Sequence, residues 1–271
     1  MTRQYCHIGP KTIAYLDSAP KHNELKVLVL LHAFPIGANL WEPQMRAIPK
    51  GWRLITPDLR GFGGSTETDS VGALSIGDYA EDVVHLLTEL GVTRAVIGGC
   101  SMGGYAALAL YQSNPEVVSA LVLANTRAGA DSPESRANRR SMLTLVDREG
   151  PSGVAREMMP RMLGKTTHDT NPSAEGTVRR LIKQQSPIAI RTAIHRMMHR
   201  PDSTPMLAAV AVPTLVVTGA EDEMIPVDES RKMARDIPGA RLVIIPGAGH
   251  LANLEQPDAF NAALTEFLAT L

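Results

Sequence analysis

Cysteine is scarce in this sequence, and its scarcity argues against a fold stabilised by disulfide bonds or by a cysteine-ligated metal ion. The 271 residues include only Cys6 and Cys100, which lie far apart in the chain. They cannot build a disulfide framework, and neither belongs to a cluster with metal-ligand spacing. The chain also lacks a dinucleotide-binding fingerprint. We therefore expect a protein that uses no metal ion and no cofactor.

An excess of one charge sign and long hydrophobic runs are also missing. The formal net charge is -1 at pH 7, which argues against a nucleic-acid or membrane partner bound by bulk electrostatics. No apolar run approaches the ~20 residues of a membrane span, and the first residues lack the apolar segment of a signal peptide. We therefore expect no nucleic-acid partner, no membrane association and a cytoplasmic location.

What the chain does contain is material for a large core. Hydrophobic residues make up 44% and charged residues 20% of the chain, which suits one large domain or a core with an insertion. A helical pattern covers residues 76–90, and the short apolar runs predict strands at 26–31, 53–56, 95–98, 119–124, 214–218 and 242–245. This alternation predicts an α/β fold with a mostly parallel, doubly wound sheet covered on both faces.

One segment, residues 127–204, interrupts the alternation, because it shows helical patterns separated by prolines and no convincing strand. The predicted organisation is therefore a core formed by residues 1–126 and 205–271, with residues 127–204 inserted as a helical cap. The cap contains no Phe, Tyr or Trp, and methionines supply much of its apolar bulk. Most of these methionines are expected to form the interior of the cap.

The charge of this segment differs from that of the remainder. Residues 127–200 hold 12 Arg and 2 Lys against 7 Asp and Glu, a net charge of +7, so a total of -1 leaves -8 for the rest. Two interpretations are open. Complementary charges can serve docking of cap and core, or the cap can form a basic entrance for anionic substrates.

A serine between two glycines is the most informative motif. The sequence GCSMG at 99–103 lies between the predicted strand 95–98 and an Ala- and Leu-rich helix that ends near Asn114. This is the context of a nucleophile elbow, in which a strained turn lifts the serine hydroxyl clear of the sheet and glycines allow close approach. We predict that Ser101 is a nucleophile.

A serine nucleophile needs a base to accept its proton. Among the eight histidines, only His250 follows a late strand in a glycine-rich turn, PGAG at 246–249. Chains with this elbow place the histidine last, at the carboxyl end of a late strand. His250 is therefore the predicted base.

A carboxylate must orient the base, and three adjacent candidates follow the strand 214–218. We predict Asp222, since a short side chain in a tight turn can be held rigidly against an imidazole. Its neighbours Glu221 and Glu223 are expected to point to solvent. The competing position, after the strand 119–124, carries Asn125, which cannot stabilise an imidazolium by charge.

Acyl transfer also requires N–H donors for the developing oxyanion. The main-chain N–H of Met102 begins the helix after the elbow, where the helix dipole favours an anion. A second donor is expected from the loop HAFP at 32–35, namely the N–H of Phe34. Phe34 and Met102 are therefore the predicted oxyanion hole and substrate-contacting residues.

With these motifs assembled, the chain resembles the α/β-hydrolase superfamily in its capped esterase, lactonase and carbon–carbon hydrolase branch. The resemblance spans nearly the whole chain and rests on HAFP at 32–35, DLRGFGGS at 58–65, GCSMGG at 99–104, the turn 219–226, and GH at 249–250 followed by EQP at 255–257. It implies a Ser101, Asp222, His250 triad and a structural loop at 58–65. The chain departs at Ala33, where this family usually has glycine, and the alanine methyl group is expected to narrow the approach beside the loop that carries Phe34.

The resemblance implies a serine hydrolase that cleaves small to medium carboxylic esters or lactones through an acyl-enzyme. A second interpretation is a carbon–carbon or enol-lactone hydrolase for anionic keto acids, and a third is a ligand-sensing receptor. Haloalkane dehalogenases and epoxide hydrolases use aspartate at the elbow, and the latter use cap tyrosines that are absent here. The expected partner is a small-molecule ester or lactone, and the sequence leaves homo-oligomer formation open.

Overall fold

The computed structural model describes residues 2–66 and 74–271. Its strands form one eight-stranded sheet in the order β1-β2-β4-β3-β5-β6-β7-β8. Pairing is parallel from β4 through β8, and the pairs β1·β2 and β2·β4 are antiparallel. The strands are β1 (Gln4–Ile8), β2 (Lys11–Asp17), β3 (Lys26–Leu31), β4 (Trp52–Pro57), β5 (Ala95–Cys100), β6 (Val118–Ala124), β7 (Thr214–Gly219) and β8 (Arg241–Ile245). The predicted mostly parallel α/β sheet is confirmed.

All six predicted strands are present, but the antiparallel pair β1 and β2 was not predicted. The edge strand β1 buries only its central Cys6 fully, and β2 begins with two half-buried residues. A strand at a sheet edge buries little and carries polar side chains, so the hydrophobic pattern of β1 is weak. Strand β2 lies between β1 and β4, and its apolar run is short, from Ile13 to Leu16. The buried central strands produced the stronger signal.

Helices cover both faces of the sheet. The predicted helix 76–90 is present as α2, with Tyr79, Val83 and Leu86 buried. The α-helices of the described residues are α1 (Glu42–Ala47), α2 (Gly77–Glu89), α3 (Met102–Ser113), α4 (Pro133–Met162), α5 (Lys165–Thr170), α6 (Pro172–Lys183), α7 (Pro187–Met198), α8 (Val227–Asp236), α9 (Ala252–Glu255) and α10 (Pro257–Leu268).

Helices α4 to α7, here called the cap helices, lie between β6 and β7 in the chain. Helix α4 is interrupted at Gly150, whose φ of 60° is followed directly by Pro151. Proline and a left-handed glycine together end one helical segment and allow the next to start in a new direction. Most of the cap methionines are buried, as expected, among them Met159, Met162 and Met197.

The order of the sheet fixes where a site can form. From β3, the first strand of the parallel part of the sheet, the chain proceeds to β4 on one side. It then crosses back to β5 on the other side of β3. In open α/β sheets, ligands bind at the carboxyl ends of the strands at such a switch point. The loops after β3 and β5 therefore flank the expected site. Within the described ranges, no helix is long and apolar enough to cross a membrane.

Candidate active site

Ser101 occupies the single position between the end of β5 and the start of α3, with a φ of 53°. Its glycine neighbours are required by contact: a Cβ at Gly99 would collide with the main chain of Gly103, and one at Gly103 would collide with the main chain of Leu31. The close approach of strand and helix forces the turn at Ser101 into a left-handed conformation that L-residues rarely adopt. The side chain opens into a cavity at the end of the sheet.

Two main-chain N–H groups beside Ser101 have no hydrogen-bond acceptor among the described residues. Neither Phe34 nor Met102 donates a main-chain hydrogen bond to any of the described residues. Unpaired amides at the start of a helix and after β3 are the donors that an oxyanion requires. Ala33, the departure from the family pattern, is fully buried and has no positive φ, so its methyl group fits the loop without strain.

The two predicted substrate-contacting residues differ in their surroundings. Phe34 lines the cavity together with Ser101. The side chain of Met102 is fully buried in the core, so any contact with substrate is left to its main chain.

His250 is buried and its Nδ1 lies 2.9 Å from Asp222 Oδ2 and 3.1 Å from Oδ1. The main-chain N–H groups of Met224 and Ile225 also donate to Oδ1 of Asp222, each at 2.9 Å. Burial raises the pKa of Asp222, but the imidazole and the donated hydrogen bonds outweigh it, so the pKa lies below its ordinary value. The ionised carboxylate holds the proton of His250 on Nδ1, which leaves Nε2 as the basic nitrogen.

Asn125 is a site residue whose role sequence reasoning missed. It follows β6 with a φ of 45°, and its Nδ2 donates to Asp222 Oδ2 at 2.9 Å and to the carbonyl oxygen of Gly249 at 3.0 Å. It therefore connects Asp222 to the loop at residues 246–251, which carries His250 and is here called the histidine loop. The structure shows the reason: β6 and β7 are neighbours, and residues that end neighbouring parallel strands meet at one edge of the sheet.

The cavity next to Ser101 has a volume of about 530 Å³, and both Ser101 and His250 lie in its wall. The Ser101 hydroxyl makes no hydrogen bond to His250 within the described part of the chain. Catalytic hydrogen bonds are often long in the absence of substrate and tighten when substrate binds. Residues of α4 and α7 line this cavity together with residues of the core.

Four arginines lie in the cavity wall, namely Arg127, Arg139, Arg148 and Arg161. Arg127 and Arg139 share the buried carboxylate of Asp131 with a third arginine, Arg200. Three cations on one carboxylate leave that group with a positive charge. Burial raises the pKa of Asp131, but Arg139 and Arg200 hold it well below its usual range.

Arg161, near the end of α4, differs from the other three arginines of the cavity wall in its hydrogen-bond partner. Its guanidinium donates to the carbonyl oxygen of Glu223 at 3.3 Å, and within the described residues it forms no ion pair with a carboxylate. Glu157, one turn earlier on the same helix, also lies in the wall. The wall as a whole is positively charged.

A family model described as alpha/beta hydrolase fold matches residues 26–257. The chain belongs to the α/β-hydrolase fold family. The structure of a thermophilic esterase from Thermogutta terrifontis with malate bound is similar to this α/β hydrolase, with 36% identity, a TM-score of 0.92 and coverage of 100% of this chain and 99% of that one.

Two further relatives widen the range of activities. An enol-lactonase structure from Burkholderia xenovorans LB400 has 26% identity and a TM-score of 0.90, and the match covers 98% of this chain and 100% of that one. RutD of Caulobacter sp. (strain K31), which is named as a carbamate hydrolase, is 32% identical over 238 residues, covering 85% of this chain and 86% of that protein. These names describe a family of hydrolases with different substrates.

The histidine of the HAFP sequence has a structural role in this α/β hydrolase. His32 is fully buried, its Nε2 accepts from the Leu59 N–H at 3.0 Å, and its Nδ1 donates to the carbonyl oxygen of Ala33 at 3.0 Å. Burial lowers the pKa of His32, which keeps the ring neutral. His32 thus connects the loop that carries Phe34 to the segment 58–65.

The expected orientation of Glu221 is wrong. Its carboxylate does not point freely to solvent but accepts from the main-chain N–H of Thr166 at 2.8 Å and from the Thr166 hydroxyl at 2.6 Å. These hydrogen bonds lower the pKa of Glu221. Glu221 therefore fastens the cap helices to the loop that carries Asp222, an interaction between distant segments that local sequence cannot reveal.

Neither a metal site nor a reactive thiol is found among residues 2–66 and 74–271. No group of three or more His, Cys, Asp or Glu in these ranges could hold a metal ion. Cys100 is completely buried, and burial followed by the charges of Asp222 and Glu255 holds the pKa of its thiol well above the ordinary value. A thiol with so little thiolate character is inert, so Cys100 serves as a small buried side chain.

Proposed function

We propose that the protein is a serine hydrolase that cleaves carboxylic esters or lactones of small to medium acyl groups. The observation that carries the proposal is the shared cavity of Ser101, in its strained turn, and His250, whose Nδ1 is held by the buried Asp222. In this proposal, Ser101 is the nucleophile, His250 the base and Asp222 the orienting acid. The N–H groups of Phe34 and Met102 form the oxyanion hole.

The reaction proceeds in two halves. Ser101 Oγ attacks the substrate carbonyl carbon while His250 Nε2 accepts the hydroxyl proton, and the carbonyl oxygen becomes an anion held by two N–H groups. The intermediate collapses to an acyl-enzyme as His250 returns the proton to the leaving alkoxide. Water, deprotonated by His250, then attacks the acyl group, and the acid leaves as Ser101 regains its proton.

The relatives support this reaction class. The esterase of Thermogutta terrifontis, at 36% identity, and the carbamate hydrolase, at 32%, act by name on acyl derivatives of oxygen or nitrogen. Esters, lactones and carbamates all pass through a tetrahedral oxyanion, which the N–H groups near Ser101 can stabilise. A cytoplasmic location accompanies the proposal as an expectation from the sequence.

A second candidate is hydrolysis of anionic keto acids or enol-lactones, and the arginines of the cavity wall favour it. Guanidinium groups bind carboxylates through paired N–H donors, and a positive wall next to the nucleophile attracts anions. Two of the relatives agree with such substrates, because one is an enol-lactonase and another was solved with the dicarboxylate malate. The same catalytic residues would serve both candidates.

A panel of substrates tests these candidates. The purified protein would be assayed with p-nitrophenyl esters and carbamates, simple lactones, an enol-lactone and a vinylogous keto acid, each beside Ser101→Ala. We expect many turnovers per enzyme on esters or lactones and none with Ser101→Ala. Stoichiometric binding of ligands without turnover on any substrate would contradict the proposal and favour a ligand-sensing receptor.

A further inference from the structure

A buried carboxylate lies behind the histidine loop, and the proposed reaction gives it no role. Glu255, the last residue of α9, is only 5% exposed. Its Oε1 accepts the main-chain N–H groups of Gly249 and Leu251, each at 2.9 Å. These two residues are the immediate neighbours of His250, so one oxygen holds the base from both sides.

The other oxygen of Glu255 binds the cap helices. Its Oε2 accepts from the main-chain N–H of Gly164 and from the Thr167 hydroxyl, both at 2.7 Å. Within the described residues, Glu255 forms no ion pair with a lysine or arginine. Its charge is therefore balanced by four hydrogen-bond donors, two from the histidine loop and two from the start of α5.

Close main-chain packing accompanies these hydrogen bonds. A Cβ at Gly249 would collide with the main chain of Gly164, and a Cβ at Gly219 would collide with the main chain of Gly249. The end of β7, the histidine loop and the joint between α4 and α5 thus lie against one another without intervening side chains. Such contacts transmit a displacement directly, since packed main chains have no side-chain rotamers to absorb it.

We propose that Glu255 is a positioning residue for His250, and that through it the segment 164–167 of the cap takes part in holding the base. The inference rests on the proposed function, because it assumes that His250 is the base. A base must be held to within about 0.5 Å of its productive position. Asp222 fixes the imidazole at Nδ1, and Glu255 fixes the main chain on both sides of it.

Glu255→Gln tests the role of the carboxylate with little change in shape. A glutamine has one acceptor oxygen, so its amide group must face an N–H on one side, and the two sets of donors cannot both be satisfied. We expect kcat to fall at least about tenfold with KM within about twofold of the wild type. The rate at which a fluorophosphonate labels Ser101 should fall by the same factor, because labelling depends on the base and not on substrate binding.

Two variants of the cap joint complete the test. Thr167→Val removes only the hydroxyl that reaches Glu255, and we expect a severalfold fall in kcat at unchanged KM. Glu221→Gln is the matched control, since the Glu221 carboxylate binds the same segment of the cap at Thr166. Its contact with the histidine loop is made by its main-chain N–H, which donates to the carbonyl oxygen of Ala248 at 2.8 Å and is kept in the variant. Its kcat should stay within about twofold of the wild type. Circular dichroism and thermal unfolding would verify that each variant is folded.

The outcomes separate this inference from the proposed function. A folded Glu255→Gln with wild-type kcat, or a loss confined to KM, would overturn the positioning role. Equal losses in Thr167→Val and Glu221→Gln would overturn the route through Glu255, because any loosening of the cap would then suffice. If Glu255→Gln does not fold, Thr167→Val decides alone: wild-type kcat overturns the inference. Failure of the proposed function itself would appear as a wild-type protein with neither turnover nor labelling.

Discussion

Asn125 donates a hydrogen bond from Nδ2 to Oδ2 of Asp222 at 2.9 Å, joining the end of β6 to the loop after β7. The same nitrogen donates to the carbonyl oxygen of Gly249, next to His250. The residue that the sequence excluded as an acid therefore contacts both the acid and the histidine loop. Its amide supplies donors to an anion, which a carboxylate at this position could not do.

The role of Asn125 can be separated from its backbone strain. Asn125→Gly removes the side chain at a φ of 45° that glycine adopts freely, whereas Asn125→Ala removes it and adds the cost of a left-handed alanine, about 1–2 kcal/mol. We expect both variants to lose about tenfold in kcat and to have a lower Tm than the wild type, because two buried hydrogen bonds are lost, with the alanine variant the lower of the two. Equal Tm values with unequal kcat would contradict this division.

Asp222→Asn should leave the fold intact and lower kcat by about 10³-fold or more, because an amide can present its N–H to His250 and mis-set the imidazole tautomer. Steady-state kinetics would be measured beside Glu221→Gln and Glu223→Gln, both expected to keep most of the activity. A severe loss in Glu221→Gln and none in Asp222→Asn would show that the acid is misassigned.

The positive cavity wall predicts a salt effect that depends on the substrate. For an ester that carries a carboxylate, kcat/KM should fall severalfold more between 0.01 and 0.15 M salt than for its neutral methylated analogue, since the Debye length shortens from ~30 to ~8 Å. Arg161→Gln should raise KM for the anionic ester and leave the neutral one unchanged.

Arg140→Gln is the matched control for Arg161, because Arg140 lies on the same helix but outside the cavity wall. It should change neither KM. Equal salt responses for the two esters would leave docking of cap and core as the explanation of the charge asymmetry.

The arginine cluster around Asp131 predicts a stability that depends on pH. Asp131→Asn leaves three arginines without their carboxylate, so the free energy of unfolding at pH 7 should fall by about 3–5 kcal/mol. The pKa of Asp131 is lowered by folding, so this stabilisation is complete above the unfolded-state pKa of about 3.9 and is lost as pH falls below it. In urea unfolding at pH 3, the difference in unfolding free energy between wild type and Asp131→Asn should be about 1 kcal/mol smaller than at pH 7. The same difference at both pH values would contradict a lowered pKa of Asp131.

Buried central strands and the elbow could be predicted from sequence, because their signals are local. The turn at Ser101 is determined by features that lie within a few residues of one another: strand β5, Gly99, Gly103 and the helix after them. The edge strand β1 lacked such a signal, since it buries only Cys6, and in β2 the polar Lys11, Thr12 and Asp17 flank a short apolar run.

Interactions between distant segments could not be predicted from one sequence. The sequence predicts a solvent-exposed Glu221 and shows Glu255 only as part of the EQP motif, yet the fold brings both against the joint between α4 and α5. Only the three-dimensional arrangement shows which donors they meet. Ser101, Asp222 and His250 are predicted from the ends of their strands, and the structure places Asp222 Oδ2 2.9 Å from His250 Nδ1.

Labelling with a fluorophosphonate tests the central claim most directly. The reagent phosphonylates a serine only when a base activates it, and mass spectrometry of the digested protein identifies the residue modified. We expect one label per chain on Ser101, no label in Ser101→Ala and labelling at least about 10³-fold slower in His250→Ala. Labelling of wild type and Ser101→Ala at the same rate, or at another residue, would contradict the account.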